Sequence, residues 1–132
     1  MFSTLFFTPH VTITEGLINV LGGGVTRAFR PVFPSHLGLY LVAILDVSSA
    51  ESDIPLVFRI VDIDSDDVVL TEIAADATQI FGPEEDVDPR VMSNPFVVDL
   101  TSLVIPKPGT YRVETTVNGK ESIAINLQVL AQ

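Results

Sequence analysis

Pro106-Lys107-Pro108-Gly109-Thr110-Tyr111-Arg112-Val113-Glu114-Thr115-Thr116-Val117-Asn118-Gly119-Lys120-Glu121-Ser122-Ile123-Ala124-Ile125-Asn126-Leu127-Gln128-Val129 reads as a Pro-Gly turn, a strand, an Asn-Gly turn and a last strand. Tyr111, Val113, Thr115 and Val117 alternate with Arg112, Glu114 and Thr116, and Ile123, Ile125, Leu127 and Val129 alternate with Ala124, Asn126 and Gln128. Each strand therefore has one apolar face, the mark of a half-buried antiparallel pair. A two-residue Asn118-Gly119 loop would place Ile123 and Ile125 on the face opposite Val113 and split the apolar set. A three-residue loop, Val117-Asn118-Gly119, with a glycine bulge keeps it together. That loop predicts Thr116 opposite Lys120, Val113 opposite Ile123 and Tyr111 opposite Ile125.

The same reasoning carries upstream. Val11 and Ile13 alternate with His10, Thr12 and Thr14, and Glu15-Gly16 leads into Leu17-Ile18-Asn19-Val20-Leu21. Here a two-residue loop is the consistent one, pairing Ile13 with Ile18 and Val11 with Val20. Gly22-Gly23-Gly24 has no Lys or Ser/Thr at phosphate-loop spacing and runs into a poor helix start, so it reads as a bend where strands pack closely. Leu37 to Val47 is apolar on both faces and predicts a central strand. Ser48 to Asp53 reads as a connection, Ile54 to Ile63 as a strand, Asp64 to Asp67 as a turn and Val68 to Ile73 as the next strand. Ala74 to Phe81 is the one place where a helical turn competes with strand, Gly82 to Arg90 reads as an acidic loop, and Val91 to Leu100 as a further strand. The expectation is one all-β domain over residues 1–132. It would be an antiparallel two-sheet β-sandwich, Ig-like or jelly-roll-like, of eight or nine strands.

The 132 residues are enough for one domain with its own core. No cysteine is present, which excludes disulfides, thiolate zinc sites and a cysteine nucleophile. The net charge is −10 and unevenly spread: residues 46 to 88 hold thirteen of the seventeen acids and one base, Arg59, a local balance of −12, and the remainder carries +2. Such a field repels phosphate backbones and anionic membranes, so neither nucleic acid nor membrane is an expected partner. Met1 to Phe7 lacks the basic region and cleavage site of a secretory leader, and no apolar run is long enough to span a bilayer, so a cytoplasmic protein is expected. Only 18% of residues are charged and the mean hydropathy is +0.45. The surface is short of polar cover, and self-association is expected away from the acidic half. Phe2, Leu5, Phe6 and Phe7 are the interface candidates, with an ordinary core strand as the alternative reading of that segment.

Thr8-Pro9-His10-Val11, the segment Glu15-Gly16 to Gly22-Gly23-Gly24, the Asp62-Ile63-Asp64 turn and the hairpin from Pro108-Gly109-Thr110-Tyr111 to Val117-Asn118-Gly119 together resemble a bacterial domain-of-unknown-function family of small single-domain proteins. The resemblance covers nearly the whole chain and rests on turn glycines and strand residues. It implies a shared β-sandwich fold and no activity. Asp67 stands where that family's turn usually has glycine, and Thr8-Pro9-His10 where an acidic residue is common.

Asp62, Asp64, Asp66 and Asp67 are the sharpest chemical cluster and resemble the start of a calcium loop. An EF-hand loop needs Gly at its sixth position and a bidentate Glu at its twelfth, which here are Asp67 and Ile73. A solvated turn accounts for the same residues, because Asp and Ser side chains bond their own turn amides. The cluster is thus a weak metal candidate. His10 and His36, the two histidines, have no neighbouring carboxylate in sequence. With no catalytic constellation and no cofactor motif, the expected function is a non-enzymatic structural or protein-interaction module, acting on itself as a homo-oligomer or on another protein. The alternative is a small-ligand or carbohydrate-binding sandwich, with or without calcium.

Overall fold

The computed structural model describes residues 2–15, 17–47, 53–78 and 92–132. Gly16, most of the Ser48 to Asp53 connection, the end of the Ala74 to Phe81 segment, the acidic loop from Gly82 to Arg90 and Val91 lie outside the described residues.

Twelve strands form among the described residues. A three-stranded antiparallel sheet has the order β1 (Phe2–Thr8), β6 (Tyr40–Val47), β9 (Met92–Asp99). A five-stranded sheet runs β4 (Arg27–Arg30), β12 (Lys120–Ala131), β11 (Gly109–Val117), β7 (Asp53–Asp62), β8 (Val68–Thr78). Two-stranded sheets are made by β2 (His10–Thr14) with β3 (Leu17–Leu21) and by β5 (Ser35–His36) with β10 (Val104–Ile105). The class is all-β, as the alternation predicts. The eight or nine strands expected become twelve, because β4, β5 and β10 are too short to show a period. The purely antiparallel expectation is also corrected: β4 pairs parallel with β12, setting Arg27 opposite Gln128 and Arg30 opposite Ala131, so the five-stranded sheet is mixed.

One core cluster draws on both larger sheets. Phe2, Leu5, Phe7, Leu41, Ala43 and Leu45 come from one, and Ile54, Leu56, Phe58, Ile60, Tyr111, Val113, Leu127 and Val129 from the other. The rings of Phe2 and Phe58 meet across it with centroids 5.4 Å apart. β6 is central to its sheet, and Val42, on its other face, is fully buried between Phe6 and Val97. Pro95 lies in β9, at the edge of that sheet, where a missing N–H is tolerated.

The β11–β12 hairpin corrects the expected register and keeps its logic. Asn118 (φ 54°) and Gly119 (φ 79°) are both left-handed, the geometry of a two-residue type I′ turn, and Val117 pairs with Lys120. The parity is then restored inside the strands. A register shift between Glu114 and Thr116 gives β12 one extra residue, after which Val113 faces Ile125 and Tyr111 faces Leu127. The Thr115 hydroxyl, buried at this bulge, donates to the Ile123 carbonyl at 2.6 Å. A bulge in β12 thus does what an extra loop residue was expected to do, since the Asn-Gly pair takes the turn whose twist matches the strands.

Candidate functional site

Two parts of the surface carry the features that sequence singles out: the acidic turn after β7, and the β2–β3 hairpin.

A 3-10 turn, Ile63–Ser65, follows Asp62, whose side chain caps it. Asp62 is almost completely buried beside Tyr111, its partner in the β7–β11 ladder. Its Oδ1 accepts from the Asp64 amide at 3.1 Å, and its Oδ2 lies 3.9 Å from Lys107 Nζ. Asp64 Oδ2 accepts from the Thr110 amide at 2.8 Å. Lys107 also donates to the Ser65 hydroxyl, and Arg112 Nη2 lies 3.7 Å from Asp67 Oδ1 and 3.8 Å from Glu114 Oε2. Asp66 and Asp67 follow in left-handed backbone, with φ of 54° and 57°. Asp62, Asp64 and Asp67 are therefore each held by donors of the Pro106–Arg112 segment or of the turn itself, and the cluster clips two chain segments together. Among the described residues no group of three acidic or histidine side chains could hold a metal ion. Calorimetric titration with calcium is expected to give no binding in the micromolar range; micromolar affinity abolished by Asp64→Ala would contradict this.

Tyr111 joins the same end. Its hydroxyl donates to the Lys107 carbonyl at 2.5 Å. Burial, with the Asp62 carboxylate adding to it, pushes its phenol above the ordinary value of 10.0. The unfolded chain therefore loses that proton first as pH rises. The stabilisation is complete below the ordinary tyrosine range and is lost as pH climbs through it toward the folded value. Urea midpoints measured on either side of pH 10 are expected to fall less steeply in Tyr111→Phe than in the parent chain. Equal slopes would remove Tyr111 from the account.

The hairpin is built as the two-residue reading predicts, with Ile13 opposite Ile18, Val11 opposite Val20 and Thr14 opposite Leu17. It is a sheet of its own. Its base is tied by a residue that sequence reasoning passed over. The Thr8 hydroxyl, fully buried, lies 2.9 Å from the His10 carbonyl and 3.0 Å from the Leu21 carbonyl, and accepts from the His10 amide at 3.3 Å. The only hint was position, a small hydroxyl residue immediately before Pro9. The glycine triplet folds back on β1, where the Gly24 and Val25 amides both donate to the Phe7 carbonyl. A Cβ at Gly23 would come within 2.7 Å of Val20 Cγ1 and 3.2 Å of Phe6 Cε2, so the bend needs a residue without one. Beyond this base the hairpin is open to solvent: Ile13 is 55% exposed, Leu17 68% and Leu21 71%.

The other sequence candidates are placed as follows. Phe2, Leu5 and Phe7 point into the core and Phe6 is half-buried, so the ordinary-core-strand reading describes three of the four. His10 and His36 are exposed, on separate sheets. Where Arg59, Glu114, Thr116, Glu121 and Ser122 meet on the five-stranded sheet there is a shallow cavity of about 110 Å³. No helix among the described residues is long and apolar enough to cross a membrane.

The model of a family of unknown function, DUF6941, matches residues 4–130. The chain belongs to that family. The DUF6941 match takes in the β2–β3 hairpin, the acidic turn and the β11–β12 hairpin alike. No curated protein matches the chain.

Proposed function

We propose that this DUF6941 chain is a non-enzymatic protein-interaction module, a β-sandwich-like scaffold whose two larger sheets serve to present the β2–β3 hairpin to a protein partner. The observation that carries the reading is the exposure of Ile13, Leu17 and Leu21 on a hairpin that forms no part of the larger sheets. An isolated two-stranded hairpin is marginal in water and gains most from a further strand or surface laid against it. From Pro9 to Thr26 the only charged residue is Glu15, whereas the acids concentrate between residues 46 and 88. A partner can thus approach the hairpin without displacing charge. The acidic turn supports the same reading by having three of its four carboxylates, those of Asp62, Asp64 and Asp67, engaged internally. For the alternative, a small-ligand or carbohydrate-binding sandwich with or without calcium, the cavity beside Arg59 and Glu114 offers about 110 Å³. That is well below the roughly 300–1,000 Å³ of ordinary ligand sites.

The test is a variant with Ile13→Thr, Leu17→Thr and Leu21→Thr together. Its thermal midpoint should stay close to that of the parent chain, because the replaced side chains are exposed. Immobilised parent chain should retain a protein that the variant does not. Equal retention, or saccharide or calcium binding by the parent chain in calorimetry, would overturn the reading.

A further inference from the structure

β3 is open on the side away from β2: among the described residues it pairs with nothing else. The pair Thr14–Leu17 closes the hairpin, and closing pairs of two-residue loops are hydrogen-bonded pairs. The main-chain groups of Leu17, Asn19 and Leu21 therefore turn toward β2, and those of Ile18 and Val20 turn outward. Natural sheet edges are guarded by charge, proline or a bulge. Leu17-Ile18-Asn19-Val20-Leu21 contains no charge and no proline, and its ladder runs without a register shift.

This strand also reads almost the same in both directions: leucine at each end, a β-branched residue inside each leucine, asparagine at the centre. A two-fold contact requires that if one residue meets a second, the second meets the first. We propose that β3 pairs antiparallel with β3 of a second copy, Asn19 facing Asn19 on the two-fold axis, to make one four-stranded sheet. The inference rests on the interaction-module reading and names its partner as another molecule of the same chain.

In that register Ile18 lies opposite Val20 of the copy. Both carry outward N–H and C=O groups, so each such pair exchanges its two hydrogen bonds. Leu17 lies opposite Leu21 of the copy, on the face that carries Asn19, and these are the two most exposed large apolar side chains of the hairpin. Glu15 falls opposite position 23, a glycine, so no like charges meet. β2 is the poorer edge. On the face that carries Leu17 and Leu21 it contributes His10, Thr12 and Thr14, and no leucine to cover.

The full chain should run as a dimer at high micromolar concentration in size exclusion with light scattering. Asn19→Lys places two ammonium groups on the axis while leaving an exposed site on the monomer, and should raise the dimer dissociation constant about tenfold or more with the circular dichroism spectrum unchanged. The register is tested by single cysteines, since the chain has none. At a non-hydrogen-bonded pair the two Cα atoms lie about 4.5 Å apart, within disulfide range. Asn19→Cys should therefore cross-link to a dimer on mild oxidation, and Thr12→Cys, directly across the hairpin on β2, should not. A monomeric parent chain, a dimer indifferent to Asn19→Lys, or equal cross-linking of the two cysteines would each overturn the pairing. If the chain is monomeric but the Ile13, Leu17 and Leu21 variant still loses a different captured protein, this inference falls and the interaction module stands.

Discussion

Phe58→Ala is expected to lower the stability of the fold by about 3–5 kcal/mol, read as a drop in the urea midpoint at unchanged slope. Phe58 is 1% exposed. In the five-stranded sheet it lies between Thr115 on β11 and Ile73 on β8, and its ring faces Phe2 of the three-stranded sheet with planes tilted by 50°. Removing it leaves a cavity where the two sheets meet, and neighbours held in two hydrogen-bonded ladders cannot close the gap without breaking pairs. Against a total of roughly 5–15 kcal/mol for a native domain, a loss of that size brings a substantial unfolded fraction within reach on warming. Leu17→Ala, at an exposed position, serves as the internal comparison and should shift stability by no more than about 0.5 kcal/mol. Similar costs at the two sites would contradict the assignment of inside and outside.

Thr8→Val should cost about 1–3 kcal/mol, the penalty for stranding polar groups whose partner is lost. Valine is close in shape but replaces the hydroxyl by a methyl, which can neither donate to one of the His10 and Leu21 carbonyls nor accept from the His10 amide. The loss is local to the hairpin base, so the effect should be uneven. Amide exchange in His10–Leu21 should accelerate while β11 and β12 keep their protection. A uniform acceleration would make Thr8 an ordinary core residue. Unchanged exchange would show that the hairpin is held by something other than this hydroxyl.

Particular residues show how much was legible in the sequence. Parity placed Ile13 opposite Ile18 and Val11 opposite Val20, because a short hairpin is a local object whose register depends only on its loop and its two faces. The same logic put Tyr111 and Val113 on a common face with Ile125 and Leu127, yet missed how that is achieved, since a bulge inside β12 and a longer loop satisfy the same pattern. The Asp62–Asp67 stretch was readable as a turn, but its docking on Lys107, Thr110 and Arg112 joins residues more than forty positions apart and leaves no local trace. Burial was the least legible property. Phe2, Leu5 and Phe7 look as sticky as Ile13, Leu17 and Leu21 in a list of residues, and only the packing of β1 against β6 and Phe58 separates core from surface. The parallel β4–β12 pair was out of reach, because Arg27-Ala28-Phe29-Arg30 is too short to show a period.

The central proposal is that this chain works through the open edge of a hairpin whose one charged residue is Glu15. Amide exchange at Ile18 and Val20 tests it most directly, because these two N–H groups face away from β2 and have no partner within the hairpin itself. In dilute chain both should exchange rapidly while the inward amides of Leu17, Asn19 and Leu21 exchange slowly. On raising the concentration, Ile18 and Val20 should become protected together. Rapid exchange at both positions in the associated state, with protection appearing instead along the Asp64–Asp67 turn, would contradict the account.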